Sequence, residues 1–508
     1  MAIKISSATY SELKGILINV EVDISKGMPS FIIVGLPDTS VKEAKERVRA
    51  AIINSGYEFP LGRITINLAP ADVKKIGSLL DLPIAIGILI ESKQIKEKDL
   101  SDFVLFGELS LAGEVKGVKG TLPIILEGLE RDNNKFIFPY ENINEGIYCR
   151  EAQLYPFSNL NEVISFINYE DMLPYDIEDI ELDNNEEEFD FSMIIGQEST
   201  KRAMEIAAGG KHNLMLYGST GVGKTMLAKA LPSILPKLTR EDELEVAKIY
   251  SISGLLDKDK KIKRPFRTPH HTITQAALIG GGRNPRAGEV TLAHKGVLFL
   301  DEILEFKKEV LEVLREPLEE REVNINRVSG SYKMPADFIL VSAYNNCPCG
   351  KSDIFNSDDG CTCTEGEKRK YLNRLSKALK DRIDLFNYVP RVEYKELNVK
   401  QDNYTSSIMK EHVLLAREKQ KERLKDTKYQ YNSEIKGKDV FELCKVNKGT
   451  EKILEDYFNK NKPSLRAYGK IIKIARTIAD LDGNYDILES NVIEAINYRL
   501  DSTGEYIW

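Results

Sequence analysis

Two rhythms of apolar and polar residues run along this chain. Near its start, "MAIKISSATYSELKGILINVEV" alternates every second residue like a strand, and "ITINL" does the same. Between them, "FIIVG" precedes a helix that carries Val41, Ala44, Val48 and Ala51 on one face. "FVLFGELSLAGEVKGV" reads as a hairpin turning at Ala112-Gly113. Residues 1–170 are thus expected to form an α/β domain. From Asp176 to Asp190, "DIEDIELDNNEEEFD" has nine acidic residues and no basic one, the composition of a solvated linker, so a boundary is expected at 171–191. Strand and helix patterns continue over 192–390. From 391 to 508 the periodicity is helical, as in "KEHVLLAREKQKERLKD" and "SLRAYGKIIKIARTIADL". No internal repeat is evident.

Composition narrows the class. The chain has 508 residues, 42% hydrophobic and 30% charged, enough for two or three domains with cores of their own. The N-terminus lacks the basic, apolar and small-residue blocks of a secretory signal, and the longest apolar run, "LPIAIGILI", is too short to span a bilayer; a cytoplasmic protein is expected. A net charge of −8 gives no bulk positive field for nucleic acid, although a ring can hide a basic channel inside an acidic shell. Six cysteines do not make a secreted disulfide framework, and the clustering of four suggests a metal instead.

The strongest chemical signal is "GSTGVGKT". Gly218, Ser219, Thr220, Gly221, Val222, Gly223, Lys224 and Thr225 fit G-x-x-x-x-G-K-[ST], with the strand-like "NLMLY" before them and the helical "TMLAKAL" after. Glycines let backbone N–H groups curl around phosphate oxygens, the lysine reaches the β/γ-phosphates, and the threonine holds Mg²⁺ at a helix N-terminus. A chance glycine-rich turn is the plain alternative, and the flanking strand and helix count against it. "GVLFLDEI" reads as a buried strand ending in Asp301, expected to hold Mg²⁺ with Thr225, and Glu302, expected to polarise the attacking water. ATP and Mg²⁺ are the cofactors these motifs imply.

"FILVSAYNN" is a further buried strand ending in polar residues, and here the chain resembles the AAA+ ATPases, in which a sensor asparagine beside the acidic strand orients the lytic water. The resemblance assigns that role to Asn345, with Asn346 as competitor. "LKDRIDLF" is similar to the family's arginine-finger helix, which makes Arg382 the group that neutralises charge on a neighbour's γ-phosphate; the alternative is a surface pair with Asp381 or Asp384. "PSLRAYGKI" resembles the sensor-2 motif and makes Arg466 a lid residue that closes on ATP. Together the two arginines imply an active site between subunits.

The block "RPFRTPHHTITQAALIGGGRNPRAGEVTLAHKGVLFLDE", with "CPCG" and "ARTIADL", closely resembles the Mg-chelatase-like AAA+ subfamily called YifB or ComM, over nearly the whole chain. That resemblance implies a hexameric ring acting on DNA as a helicase in branch migration during integration of transforming DNA. "GEVTLAHKGVLFLDE" also resembles the replicative MCM helicases, which insert hairpins into a central channel. "EVNINRVSGSYKMP" reads as two strands around Ser329-Gly330 and "LIGGGRNPRAGEV" as a glycine-rich loop. Arg283, Arg286, Arg327 and Lys333 would then line the pore and contact DNA phosphates, with Tyr332 the one aromatic placed for stacking. The alternative is that these cations are solvated, or that Arg286 pairs with Glu289.

In "CPCGKSDIFNSDDGCTC", Cys347, Cys349, Cys361 and Cys363 form C-x-C, eleven residues, C-x-C. Four thiolates suit tetrahedral Zn²⁺, and so polar a loop needs such a staple; reduced free thiols are the alternative. Cys149 and Cys444 read as packing residues, and the adjacent His270 and His271 as structural rather than metal ligands.

"INLAPADVKKIGSLLDLPIAIGIL" and "GELSLAGEVKGVKGTLP" resemble the Lon-type protease fold. By that resemblance Leu122 stands where the dyad lysine belongs, and the serine position falls near Leu80 or Asp81, although Ser78, Lys116 and Lys119 lie close by. A hydroxyl is a weak nucleophile until a neutral lysine accepts its proton, so a non-catalytic domain is expected. Three functions remain in competition: a ring-shaped DNA motor, an ATP-dependent protease with a shifted dyad, and a magnesium-chelatase-type metal-insertion motor.

Overall fold

A computed structural model describes residues 3–499 apart from 76, 97–98, 170–171, 177–188, 258–259, 283–285, 328–329, 354–359, 393, 395–403 and 447. Most of the acidic stretch expected to be a linker lies outside the described residues. The chain forms two units: residues 1–185 with 240–262, and residues 186–239 with 263–508.

In the first unit, Ile3–Ser11, Lys14–Ser25 and Arg63–Ala69 form an antiparallel sheet, to which Ser30–Val34 adds in parallel. The period-two pattern buries Ile64, Ile66 and Leu68. Asp38 caps the helix Thr39–Asn54 by accepting from the Val41 amide (2.9 Å), and Val41, Ala44, Val48 and Ala51 face the core. Phe103–Leu105 pairs in parallel with Lys135–Pro139 rather than joining the expected hairpin, which is the two-residue ladder Glu108–Leu109 with Val115–Lys116. Phe103–Leu105 is wholly buried, and a second parallel neighbour of Lys135–Pro139, Gln153–Phe157, completes that small sheet.

Residues 240–262 depart from the expected continuous domain over 192–390. The helix Arg240–Ser253 sets Ala247 among Leu122, Ile124, Phe136 and Phe138 of the first unit. The Ser251 hydroxyl donates to the buried carboxylate of Glu145 (2.6 Å), which also accepts from the Leu122 amide (2.8 Å). Apolar burial and a satisfied buried acid outweigh chain proximity to the P-loop.

The second unit is built on a five-stranded parallel sheet in the spatial order Phe266–Arg267, Val297–Leu300, Ile339–Tyr344, Leu214–Tyr217, Leu385–Tyr388. The central strands are buried on both faces, as their continuous apolar runs require. The C-terminal helices are not a separate body. Ser406–Leu424 and Leu465–Leu481 pack on the helix Glu198–Gly210, placing Met409, Val413, Ile471, Ile474 and Ile478 in one core with Ala203, Leu216 and Phe299. Among the described residues, no helix is long and apolar enough to cross a membrane.

Candidate nucleotide site

In a parallel sheet all strands end on the same side, and here three of those ends carry polar groups. The loop after Leu214–Tyr217 turns through Gly221 and Gly223 at φ +82° and +92°, a region that costs other residues strain, and opens the helix Lys224–Ile234. The Lys224 ammonium donates to the carbonyls of Gly218 (2.9 Å) and Ser219 (2.8 Å) and to Asn345 Oδ1 (3.0 Å). Burial pushes its pKa down to about 8, against the pull of Asp301 and Glu302.

The strand Val297–Leu300 is not the neighbour of the P-loop strand; Ile339–Tyr344 lies between them. That order places the strand ending before Asn345 between the strand of the phosphate loop and the strand of the acids. Thr225 Oγ1 donates to Asp301 Oδ2 (2.8 Å), so hydroxyl and carboxylate meet as two hard oxygen donors for Mg²⁺ would. Glu302 sits at φ +49° with its amide on Asp301 Oδ1 (3.0 Å), a left-handed turn that leaves its carboxylate exposed. The two asparagines part company: Asn345 faces Lys224, whereas Asn346 is buried with its Nδ2 on the Ser352 carbonyl (3.1 Å).

Arg382 and Arg466 lie elsewhere. Asn213, just before the P-loop strand, donates from Nδ2 to the Arg382 carbonyl (3.2 Å), and Leu214 is in register with Leu385. Arg382 is therefore at the beginning of the strands and the P-loop at their ends, separated by four residues or roughly 13 Å of strand at about 3.3 Å per residue. Both arginines converge on Glu319 Oε1, Arg382 Nη2 at 2.8 Å and Arg466 Nη2 at 2.6 Å, in a cavity of about 1210 Å³ also lined by Lys211, Lys470 and Lys473. Arg466, expected to act as a lid residue over ATP, is paired here with Glu319 beside Arg382, in a cavity that contains none of the P-loop residues. Arg382 has neither Asp381 nor Asp384 as its ion-pair partner; its side chain is 10% exposed and also donates to the Ala378 carbonyl (2.6 Å). Asp384 is buried with Lys470 (2.9 Å).

Of the four candidate pore cations, Arg283 lies outside the described residues, as does the side chain of Arg327. Gly280–Gly281 pairs with Arg286–Ala287, and Glu322–Arg327 with Gly330–Pro335, so both segments are hairpins. Arg286 is exposed, and Glu289 is held by Arg267 in a bidentate pair (2.7 and 2.8 Å) rather than by Arg286. Lys333 pairs with Glu322 (2.7 Å). The rings of His270 and His271 lie 4.1 Å apart, tilted by 34°, and His270 Nδ1 is hydrogen-bonded with the Thr272 hydroxyl (2.9 Å). The sulfurs of Cys347, Cys349, Cys361 and Cys363 all lie within 4.8 Å of one another, while Cys149 and Cys444 are buried singly.

In the first unit, Ser78 Oγ donates to the Glu108 carboxylate, Lys116 pairs with Glu114 (2.8 Å), and Leu122 is fully buried. Asp81 is engaged by Arg47 through two hydrogen bonds (2.6 and 3.0 Å). The described residues thus bring no lysine into hydrogen bond with Ser78.

Three features escaped sequence reasoning: Glu319, the backbone of Gly350 and Ser352 beside the P-loop, and Arg267 as the partner of Glu289. Glu319 is one of four glutamates in "EPLEERE", with no local signal to single it out.

A glycine-rich phosphate loop, an acid pair two strands away and an asparagine between them define a P-loop α/β domain of the kind found in Mg-chelatase-like AAA+ proteins. Residues 190–397 match the family "Magnesium chelatase, subunit ChlI", residues 20–142 match "Subunit ChlI of Mg-chelatase", and residues 403–499 match "Magnesium chelatase, subunit ChlI C-terminal". Competence protein ComM of Haemophilus influenzae is 40% identical over 489 residues, 95% of this chain and 94% of its own. The uncharacterized protein YifB of Escherichia coli is also 40% identical over 489 residues, with the same coverage. The Magnesium-chelatase 38 kDa subunit of Cereibacter sphaeroides is 26% identical over 175 residues, 31% of this chain and 52% of its own. The chain belongs to the Mg-chelatase-like family that includes ComM and YifB.

Proposed function

We propose that this protein is an ATP-hydrolysing ring motor of the cytoplasm that acts on DNA, as a helicase or branch-migration factor. One observation carries the ring: the phosphate loop and its acids lie at the C-terminal ends of the strands, while Arg382 and Arg466 share Glu319 at the opposite ends. A guanidinium so placed completes the site of a neighbouring chain, and a head-to-tail contact repeated about an axis closes a ring. In that site the P-loop amides and Lys224 bind the β/γ-phosphates, and Thr225 and Asp301 hold Mg²⁺. Glu302 takes a proton from the attacking water, which Asn345 orients, and Arg382 and Arg466 of the adjacent subunit offset charge on the γ-phosphoryl oxygens.

The exposed hairpin cation Arg286 and the similarity to a competence protein support DNA as what is moved. Family matches to magnesium chelatase subunits favour a second reading, a metal-insertion motor. ATP turnover of the assembled protein separates them: stimulation by single-stranded or forked DNA is expected, and turnover indifferent to DNA would remove the DNA motor. We further infer that the four clustered cysteines hold a structural Zn²⁺, since a loop of Ser, Asp, Asn and Gly has little apolar core to order it.

A further inference from the structure

The cysteine loop does not stand apart from the nucleotide site. It begins directly after Asn345 and Asn346, and its first turn closes with the Gly350 amide on the Cys347 carbonyl (3.0 Å). Gly350, at φ +74°, aims its own carbonyl at the Thr220 amide of the P-loop (2.8 Å). Two residues on, the Ser352 carbonyl accepts from the Ser219 hydroxyl (3.2 Å) and from Asn346 Nδ2 (3.1 Å), and the Ser352 amide donates to Cys347 Sγ (3.3 Å). Asp353 is held by the Tyr388 hydroxyl (2.5 Å) at the end of the adjoining strand. Residues 350–352 thus form a strap between the P-loop on one side and the cysteine sulfurs on the other.

The sulfurs themselves are spaced for one metal ion. Cys347 to Cys349 is 3.2 Å, Cys349 to Cys361 is 3.5 Å and Cys347 to Cys361 is 3.6 Å. Zn–S bonds of about 2.3 Å in a tetrahedron place sulfurs roughly 3.8 Å apart, close to these values and far from a disulfide bond. Thiolates brought this close repel one another unless a cation sits among them, so the metal and the strap's position are linked.

We propose that Zn²⁺ bound by Cys347, Cys349, Cys361 and Cys363 is the anchor of the P-loop: it fixes the Gly350 and Ser352 carbonyls, which in turn hold Thr220 N–H and the Ser219 hydroxyl in the phosphate-binding turn. Nucleotide affinity is then zinc-dependent, although the zinc touches no nucleotide. This rests on the reading of the P-loop as an ATP site and of the cysteines as a zinc site.

The test uses the full chain purified under reducing conditions, with metal content by mass spectrometry and binding of a fluorescent ATP analogue in Mg²⁺. About one zinc per chain is expected. Removal with a zinc-selective chelator should weaken nucleotide binding by at least about tenfold, and added Zn²⁺ should restore it. The Cys349→Ser, Cys361→Ser double variant should lose both zinc and affinity. Gly350→Ala should keep its zinc but bind nucleotide more weakly, because a Cβ there collides with Thr220 Oγ1. Wild-type protein without zinc, a zinc-free protein with unchanged affinity, or Gly350→Ala at wild-type affinity would each overturn the coupling. A zinc-loaded wild type that binds no nucleotide would instead overturn the ATP-site reading beneath it.

Discussion

Mixing two inactive variants tests the division of labour across the sheet. Lys224→Ala removes the cation that the P-loop surrounds, and Arg382→Ala removes the guanidinium at the opposite ends of the strands, about 13 Å away over four residues at about 3.3 Å each. An arginine acting across an interface on a phosphoryl group supplies about 10³–10⁵ in turnover, so Arg382→Ala alone should fall by at least about 10³. In rings assembled at random from equal amounts of the two variants, half of the chains keep a working P-loop and half of their neighbours keep the arginine. About one quarter of wild-type turnover per chain should therefore return, if interfaces act independently. The assay is phosphate release by co-expressed, differently tagged chains purified through both tags, which guarantees mixed assemblies. If each arginine served its own nucleotide, no mixed ring would contain a complete site and turnover would stay at background. That result, or Arg382→Ala turning over at the wild-type rate, would refute the assignment.

Further outcomes follow from individual groups. Because burial pushes Lys224 down to about 8 while bound phosphate favours its charged form, nucleotide binding should take up a proton, and affinity should weaken as pH rises through 8; calorimetry in buffers of different ionisation enthalpy checks this, and affinity flat from about pH 7 to 9 contradicts it. Asp384 is buried, which raises its pKa, but Lys470 and His212 overcome this and hold it well below the usual carboxylate range. Its stabilisation is present above the ordinary carboxyl pKa and lost as pH falls through the depressed value. Asp384→Asn leaves Lys470 buried without its counter-ion and should cost about 3–5 kcal/mol in urea unfolding; a loss below about 1 kcal/mol would mean the pair is not coupled as described. Replacing Arg283, Arg286, Arg327 and Lys333 together by Ala should weaken single-stranded DNA binding and flatten its salt dependence; an unchanged affinity and slope would dismiss these cations as the contact. Casein should remain intact with wild-type protein, since Ser78 donates to Glu108 rather than to a lysine; degradation abolished by Ser78→Ala would restore the protease reading.

Much of the nucleotide site is legible in the chain because its parts are local. A strand, an eight-residue motif whose last two residues open the helix, and the helix itself carry the phosphate turn complete, and the runs before Asp301 and Asn345 announce buried strands by composition alone. The order of those strands is not legible, yet it puts Asn345 between Lys224 and the acids and sends Asn346 into the Ser352 carbonyl. The arginines show the limit more sharply. Arg382 and Arg466 could be picked out by resemblance, but their meeting on Glu319 joins residues 63 and 147 positions away, and no local pattern encodes it. The helix Arg240–Ser253 follows the P-loop helix in the chain, yet its Ala247 packs with Leu122, Phe136 and Phe138 of the first unit, a pairing that no local pattern announces.

Which groups exist and what each can do is written in the order of residues: a loop able to wrap phosphate, two acids at a strand end, four thiols able to share a metal, two arginines able to meet an anion. Those capacities depend on side-chain chemistry and on backbone turns a few residues long. Which groups act together depends on packing, which places the arginines at the opposite strand ends from their own P-loop and brings the cysteine loop's carbonyls onto it. Burial and long-range pairing set a charge's partner, and both depend on how segments far apart in the chain pack.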